Sequence, residues 1–282
     1  GTVKGLSEGT SVITIKGKVS TNVSATCTVT VKKGMKRLSA ADIAANKETY
    51  YGEVAQNYTQ GGLTYRIFYV DTKGNFGDEV NTIYLKADYK AEESLSIDIS
   101  KLTDADITKY KNMNPLWAAK RGSIAPASWN DNEKAAAWLC APSQWTAYAD
   151  SSIEGSYAIG GPSAEMYVAS YNDVAHNNGT AKGGLSTEYS TKDAPGYIYK
   201  VNGELNNNSG WSTASNSIDN TGYNSMYAKS GTWWWLASPS SINSGNVCLV
   251  TSSTLGGNNY SSANDVGPLV SLPSTFTVEV EQ

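Results

Sequence analysis

The chain has 282 residues, 40% of them hydrophobic, which is the length of about two domains and enough apolar material for a buried core. Its net charge of −4 comes from residues 201–282, which contain one cation, Lys229, and five acidic residues. Residues 1–200 contain 21 cations and 21 anions and are therefore neutral. One cation cannot neutralise several phosphates, and no apolar run approaches the roughly 20 residues of a membrane helix. We therefore expect no nucleic-acid partner and no membrane partner.

Residues suited to catalysis or metal binding are few. The three cysteines, Cys27, Cys140 and Cys248, lie more than 100 residues apart, which indicates neither a zinc site nor a disulfide scaffold. The one histidine, His176, lies in a polar stretch typical of a solvated loop. Ser7 fits a G-x-S-x-G string but precedes a strand-like segment, so we interpret the string as a turn. We expect no catalytic residues, no metal, no cofactor and no enzyme activity.

The first 33 residues are predicted to be β-structure. Residues 11–16 and 26–31 alternate apolar and hydroxyl side chains with a period of two. The strings G-T-V-K-G-L-S-E-G-T-S-V-I-T-I and A-T-C-T-V-T-V resemble the second half of a group 2 bacterial immunoglobulin-like domain. This resemblance implies a partial Ig-like domain over residues 1–33, completed by upstream sequence or by another chain. The basic residues 34–37 that follow are predicted to be a linker.

Residues 38–200 carry a mixture of helix and strand signals, which predicts an α+β fold. Ser39 with Asp42 is typical of a helix start, and we expect that helix to continue through Ala45. The acidic pairs near residues 104 and 131 are interpreted as helix-start residues that face the helix dipole. The remaining predictions are strands at 53–58, 64–70 and 82–87, and helices at 104–112, 131–140 and 163–171.

Residues 201–267 form a polar tract with 14 Ser, 12 Asn, 8 Gly and 5 Thr among 67 residues. Such a composition ordinarily indicates disorder. Apolar anchors argue against disorder here, because strand-like runs lie at 233–236, 247–250, 268–272 and 275–280. We predict a rigid framework that displays Asn, Ser, Thr, Gly and Tyr, the side chains that binding loops use.

Several strings together resemble a known family of binding proteins. W-W-W-L-A-S-P at 233–239 and V-G-P-L-V-S-L-P at 266–273 resemble the closing region of the C-type lectin-like variable proteins of diversity-generating retroelements, which occur in phages and prophages. The family resemblance covers residues 38–282. Further matching strings are Y-Y-G-E-V-A-Q-N-Y at 50–58, Y-R-I-F-Y at 65–69, T-I-Y-L-K-A-D-Y at 82–89 and A-I-G-G-P-S-A-E-M-Y-V-A-S-Y-N at 158–172.

The resemblance implies the formylglycine-generating-enzyme variant of the C-type lectin fold, with a receptor-binding surface whose codons are rewritten at adenines. In this sequence the variable region would span about residues 236–267, over a constant scaffold that includes Trp234, Trp235 and Pro268. The ligand-binding positions that it implies are Ser240, Ser241, Asn243, Ser244, Asn246, Ser252, Ser253, Thr254, Asn258, Asn259, Tyr260, Ser262, Asn264 and Asp265.

Two other activities of this fold lack their residues. The oxidase uses a cysteine pair near its C-terminal end, where only Cys248 occurs, and calcium-dependent lectins use an E-P-N or Q-P-D tripeptide, which is absent. Metal-free sugar binding through Trp or Tyr stacking stays open.

The sequence thus predicts a non-enzymatic receptor-binding protein on the surface of a phage particle, as a tail tip, fibre or capsid decoration. Its partners would be a host-surface protein or glycan, and other virion proteins through the Ig-like segment; a homo-oligomer is left open. The alternatives are a structural virion protein that uses the fold for assembly, and a bacterial surface adhesin with Ig-like repeats at the cell surface.

Overall fold

The computed structural model describes residues 4, 9–17, 24–31, 34–88, 97–175, 186–189, 197–201, 204–205, 211–212, 224–227, 233–240, 244–250 and 254–282. Ser7, His176 and Lys229 lie outside the described residues, as do four of the predicted binding positions, Ser241, Asn243, Ser252 and Ser253.

The described residues form an α+β fold, which confirms the predicted class. The helices are α1 (Ala40–Ala45), α2 (Lys47–Tyr50), α3 (Asp104–Met113), α4 (Pro115–Arg121), α5 (Asp131–Leu139), α6 (Ala164–Ala175) and α7 (Asn224–Tyr227). The strands are β1 (Gly9–Lys16), β2 (Ser24–Val31), β3 (Met35–Leu38), β4 (Tyr65–Asp71), β5 (Thr82–Ala87), β6 (Tyr157–Ile159), β7 (Ser186–Tyr189), β8 (Tyr197–Val201), β9 (Glu204–Leu205), β10 (Trp211–Ser212), β11 (Trp234–Pro239), β12 (Asn246–Val250), β13 (Thr254–Asn259), β14 (Leu269–Leu272) and β15 (Val278–Glu281).

Two four-stranded sheets organise the larger part of the fold. One has the strand order β4-β5-β14-β6, and the other has the order β10-β13-β12-β11. Strands β5 and β14 are buried along their whole length, so the first sheet lies in the middle of the core. Helices α5 and α6 both contact β11, the edge strand of the second sheet. The smaller sheets are β1-β2, β15-β3 and β7-β8-β9.

The predicted N-terminal strand pair is confirmed as the hairpin β1–β2. Its register pairs Ile13 with Cys27, which places alternate residues on two faces. The face that carries Ile13, Ile15, Cys27 and Val29 is apolar, and the opposite face is rich in threonine. Ile15 is 66% exposed, so the described chain leaves much of this apolar face uncovered.

The predicted linker at residues 34–37 is wrong for Met35–Arg37, because these residues belong to strand β3. Strand β3 pairs antiparallel with β15, with Leu38 opposite Val278 and Met35 opposite Glu281. Leu38 and Val278 are fully buried, and the Arg37 guanidinium lies 2.8 Å from the Glu279 carboxylate. A basic string can form an edge strand when its charged side chains point to solvent.

The strand predicted at 53–58 is also wrong. The structure has a single bridge there, between Val54 and Arg66, and Ala55 donates to the carbonyl of Tyr65. The pairing stops at Gln56, whose N–H donates to the carbonyl of Glu279 instead. The partner strand for this segment is therefore divided between β4 and β15, which a local pattern cannot predict.

Helix starts agree closely with the sequence. Ser39 and Asp42 form a capping box at α1, Thr103 and Asp106 form one at α3, and Asn130 with Glu133 form one at α5. The predicted helices near residues 104, 131 and 163 are confirmed. Among the residues that the structure describes, none of the helices combines the length and apolar character needed to cross a bilayer.

Asp106 links the start of α3 to the turn at Pro142–Gln144. Its buried carboxylate accepts from the N–H and hydroxyl of Thr103 (3.1 and 2.8 Å) and from the N–H and hydroxyl of Ser143 (3.2 and 2.7 Å). Burial acts to raise the pKa of Asp106, but the bonds from Ser143 and Thr103 outweigh it, so the pKa lies below its ordinary value. The ionised carboxylate therefore stabilises the fold.

We expect Asp106→Asn to lower the free energy of unfolding at pH 7 by about 1–3 kcal/mol, because it weakens hydrogen bonds to a charged group. A lowered folded-state pKa contributes stability above the ordinary Asp pKa, and this contribution is lost as the pH falls through the folded-state pKa. The difference between the two proteins should therefore narrow in acid. Urea unfolding at decreasing pH measures it, with Asp104→Asn as an exposed control in the same helical turn. A difference that widens in acid would contradict this account.

Trp234 and Trp233 offer a matched test of the core, because they are adjacent and differ in burial. Trp234 is fully buried, whereas Trp233 is 52% exposed. We expect Trp234→Ala to cost about 3–5 kcal/mol of unfolding free energy, since it removes a buried aromatic side chain. Trp233→Ala should cost much less, as exposed substitutions do. Equal losses in chemical denaturation would show that β11 is not the buried strand described here.

Candidate functional site

Strands β11 and β12 form a buried framework that begins just before the predicted variable region and continues within it. Every residue of β11 is buried, and so are residues 247–250 of β12. The strands pair antiparallel, with Trp235 opposite Leu249 and Pro239 opposite Val247. The three predicted scaffold residues, Trp234, Trp235 and Pro268, are buried, which agrees with a structural role.

Contacts from several elements hold β11 in place. The Trp234 ring packs against Tyr167 of α6, with 5.7 Å between ring centroids, and the buried Lys86 ammonium lies 4.3 Å from the Trp234 ring centroid. Gly161 lies so close to β11 that an added Cβ would approach the Trp235 carbonyl oxygen to 2.8 Å. These contacts come from residues outside the predicted variable region.

One end of this framework is exposed. The main-chain N–H of Tyr260 donates to the carbonyl of Gly245 at 3.1 Å, and Asn246 pairs with Asn259 across β12 and β13. The turn before β12 therefore lies beside the turn after β13. We call residues 244–246 and 258–262, together with Asp131, the display surface; it brings together six predicted positions, Ser244, Asn246, Asn258, Asn259, Tyr260 and Ser262.

Side-chain hydrogen bonds order the second of these turns. The Asn259 side-chain oxygen accepts from the N–H and the hydroxyl of Ser261, at 3.0 and 2.7 Å. The Asn258 side-chain oxygen accepts from the Asn259 N–H at 2.8 Å and from the Ser262 hydroxyl at 3.4 Å. These bonds use the side-chain oxygens, and Asn259 is exposed, so its amide nitrogen can donate to a ligand.

Tyr260 and Asp131 join the turn to helix α5. Tyr260 is half-buried and packs against the core, and its hydroxyl donates to the Asp131 carboxylate at 3.4 Å. The Asp131 side chain is exposed, with its other oxygen 4.0 Å from the Lys134 ammonium. The sequence marked Asp131 as a helix-start residue, but its place beside Tyr260 depends on the tertiary structure.

Four predicted binding positions lie outside the display surface. Ser240 is only 8% exposed, so it belongs to the buried framework. The main chain of Asp265 pairs with β11, because its N–H donates to the Trp233 carbonyl and its carbonyl accepts from Trp235. Asn264 precedes it and is half-buried. Thr254 lies in β13, opposite Ser212 of β10.

Buried contacts in the first turn of α5 fix the position of Asp131. The buried Glu133 carboxylate accepts from the Asn130 N–H at 2.6 Å and from the Trp117 indole at 3.0 Å, and it lies 3.0 Å from the Arg121 guanidinium. Burial raises the pKa of Glu133, and this effect outweighs the three partners, which lower it. The first turn of α5 is thus held by side chains of the interior.

No pattern in the sequence singled out Asn132, the second residue of α5. Its side-chain amide is buried and donates to the carbonyls of Ser240 and Asn246. These two carbonyls belong to the residue that follows β11 and to the first residue of β12. The W-N-D-N string at 129–132 was the available signal, but only the tertiary structure shows which backbone groups the second Asn meets.

The chemistry of the display surface suits binding. It offers hydroxyl groups, amides, one tyrosine ring and one carboxylate, which together form hydrogen bonds and flat contacts. In the described part of the chain, no group of three or more His, Cys, Asp and Glu side chains is placed to hold a metal ion.

Comparisons with known proteins add no relative to this picture. No protein-family model, no curated protein and no solved structure matches the chain.

Proposed function

We propose that this protein is a receptor-binding protein of a phage particle, and that the display surface is its ligand-binding site. The observation that carries the proposal is the division of β11–β13 into two parts. Its interior consists of buried Trp, Leu, Val and Cys side chains, whereas its end presents exposed polar side chains at positions that the family resemblance assigns to ligand binding.

The finer fold, a C-type lectin-like domain, is part of the proposal. The strings that resemble the family lie at positions where close packing restricts the side chain. W-W-W-L-A-S-P includes β11, and the G-G of A-I-G-G-P lies at Gly160 and Gly161. An added Cβ on Gly160 would approach the Trp145 ring to 2.4 Å, so only glycine fits there without movement. This supports reading the strings as scaffold positions.

The low charge of the display surface determines how it would bind. A surface with one carboxylate produces a weak long-range field, so electrostatic steering contributes little to the association rate. Affinity would come from shape, from contacts with Tyr260 and from hydrogen bonds to Asn258 and Asn259. Such contacts suit a protein or a glycan on a host surface.

Main-chain pairing makes the surface tolerant of substitution. Asn246 and Asn259 are paired through their backbones, and so are Val247 and Asn258. The strand register therefore depends little on which polar side chain stands at the end of the sheet. This supports a surface whose residues differ between related proteins.

In this proposal the β1–β2 hairpin attaches the binding domain to other virion proteins. Its uncovered apolar face, with Ile13, Ile15 and Val29, is the support, because an isolated two-stranded hairpin is marginally stable in water and gains stability by packing on another layer.

Binding to cells tests the site directly. We expect fluorescently labelled protein to bind saturably to cells of a susceptible bacterial isolate, and we expect the double variant Asn258→Ala and Asn259→Ala to reduce bound protein at least about tenfold, the effect of losing about 1.4 kcal/mol. Asn112→Ala, an exposed asparagine on α3, is the matched control. Unchanged binding by the double variant, with an unchanged melting temperature, would rule out the display surface.

Gene comparison tests diversification. Among related isolates we expect substitutions to cluster at adenine-containing codons between Trp235 and Gly267, and to include Asn246, Asn258 and Asn259. The buried positions Val247 and Leu249 should stay apolar, because a polar side chain there would lack a partner. Substitutions scattered evenly over the chain would contradict adenine-directed variation.

A further inference from the structure

Asn132 lies beside the adjacent ends of β11 and β12. It is 1% exposed, and the two N–H groups of its side-chain nitrogen meet two main-chain carbonyls, that of Ser240 at 3.2 Å and that of Asn246 at 3.0 Å. Ser240 also donates its own N–H to the Asn246 carbonyl at 2.9 Å. Three hydrogen bonds thus hold residue 240, which follows β11, beside residue 246, the first residue of β12.

We propose that Asn132 is a positioning residue that holds residues 240 and 246 together through their main chain, so that side chains between them can change without separating the two strand ends. Both acceptors are backbone carbonyls, which every amino acid carries at positions 240 and 246. A clamp that used the Ser240 hydroxyl or the Asn246 amide would instead be lost with the first substitution. The role in ligand binding rests on the proposed function, whereas the clamp itself does not.

Asparagine is suited to this position for a geometric reason. Its amide nitrogen supplies two donors that diverge toward two acceptors. An aspartate has nearly the same shape but presents acceptor oxygens to the carbonyls of Ser240 and Asn246. An alanine leaves both carbonyls without this donor, and buried acceptors that lose a partner are costly.

The clamp extends to the rest of the display surface. Gly245, inside the loop, accepts the N–H of Tyr260, so the turn after β13 is attached to the loop that Asn132 holds. The position of Asn132 is itself fixed, because the neighbouring Glu133 is bound by Asn130, Trp117 and Arg121. Movement at the loop base should therefore reach Tyr260.

Hydrogen exchange of single amides, followed by NMR on the full chain, tests this role without any ligand. We expect Asn132→Asp and Asn132→Ala to accelerate exchange of the Ser240 and Tyr260 amides at least about tenfold, because two hydrogen bonds at the base are lost. Val270 lies in β14, which belongs to the other four-stranded sheet. The exchange rate of its amide should change much less. Asn112→Asp is the matched control, since it makes the same chemical change at an exposed site.

A second arm tests independence from the loop side chains. The double variant Ser240→Ala and Asn246→Ala keeps both carbonyls, so exchange at the Ser240 position and at Tyr260 should stay within about threefold of the original protein. The proposal is overturned if this variant exchanges as fast as Asn132→Ala, or if the Asn132 variants leave Ser240 protected. It is also overturned if exchange of the Val270 amide accelerates equally, or if neither Asn132 variant folds. In either case Asn132 would support the whole fold.

The outcome is separable from that of the cell-binding test. Loss of protection at Ser240 and Tyr260 in a protein that binds no cells would retain the clamp and remove the proposed function. If the original protein binds cells but the Asn132 variants keep normal protection at Ser240 and Tyr260, the proposed function is retained and the clamp is ruled out.

Discussion

The burial of strand β11 is the constraint on which the rest of the structure depends. All six residues of Trp234–Pro239 are buried, so the strand must be covered on both faces and along its edges. Helices α5 and α6 contact it, the Lys86 ammonium lies over the Trp234 ring, and Asp265 pairs with its free edge. A strand held from so many directions gives the following loop a fixed origin.

In the candidate site, main-chain groups join the strand ends, and side-chain hydrogen bonds order the turn after β13. The carbonyls of Ser240 and Asn246 accept from the Asn132 side chain, the Tyr260 N–H donates to the Gly245 carbonyl, and the main chain of Asp265 pairs with β11. The exposed side chains of Ser244 and Asn259 are then available for contact. A surface built in this way can vary in sequence while its strand ends keep one arrangement, which the proposed function requires.

Local signals predicted much of the fold because their physics is local. A capping box involves residues three positions apart, so the start of α1 could be predicted from Ser39 and Asp42. The acidic pairs near residues 104 and 131 indicated the starts of α3 and α5 in the same local way. Alternation with a period of two similarly predicted β1 and β2. The errors arise where the partner is distant. Strand β3 is stabilised by β15, more than 200 residues away, and residues 53–58 divide their hydrogen bonds between β4 and β15.

The sequence by itself determined the composition of the surface, the apolar anchors and the helix starts, because composition, periodicity and capping are properties of neighbouring residues. The tertiary structure alone decided which polar residues reach solvent. Ser240 and Asn246 look alike in the sequence, yet Ser240 is buried over Asn132 and Asn246 reaches the display surface. Asp131 and Asn132 are adjacent in one helix, but one meets a tyrosine hydroxyl and the other meets two backbone carbonyls. Burial and hydrogen-bond partners depend on chain segments more than 100 residues apart, and no local pattern contains that information.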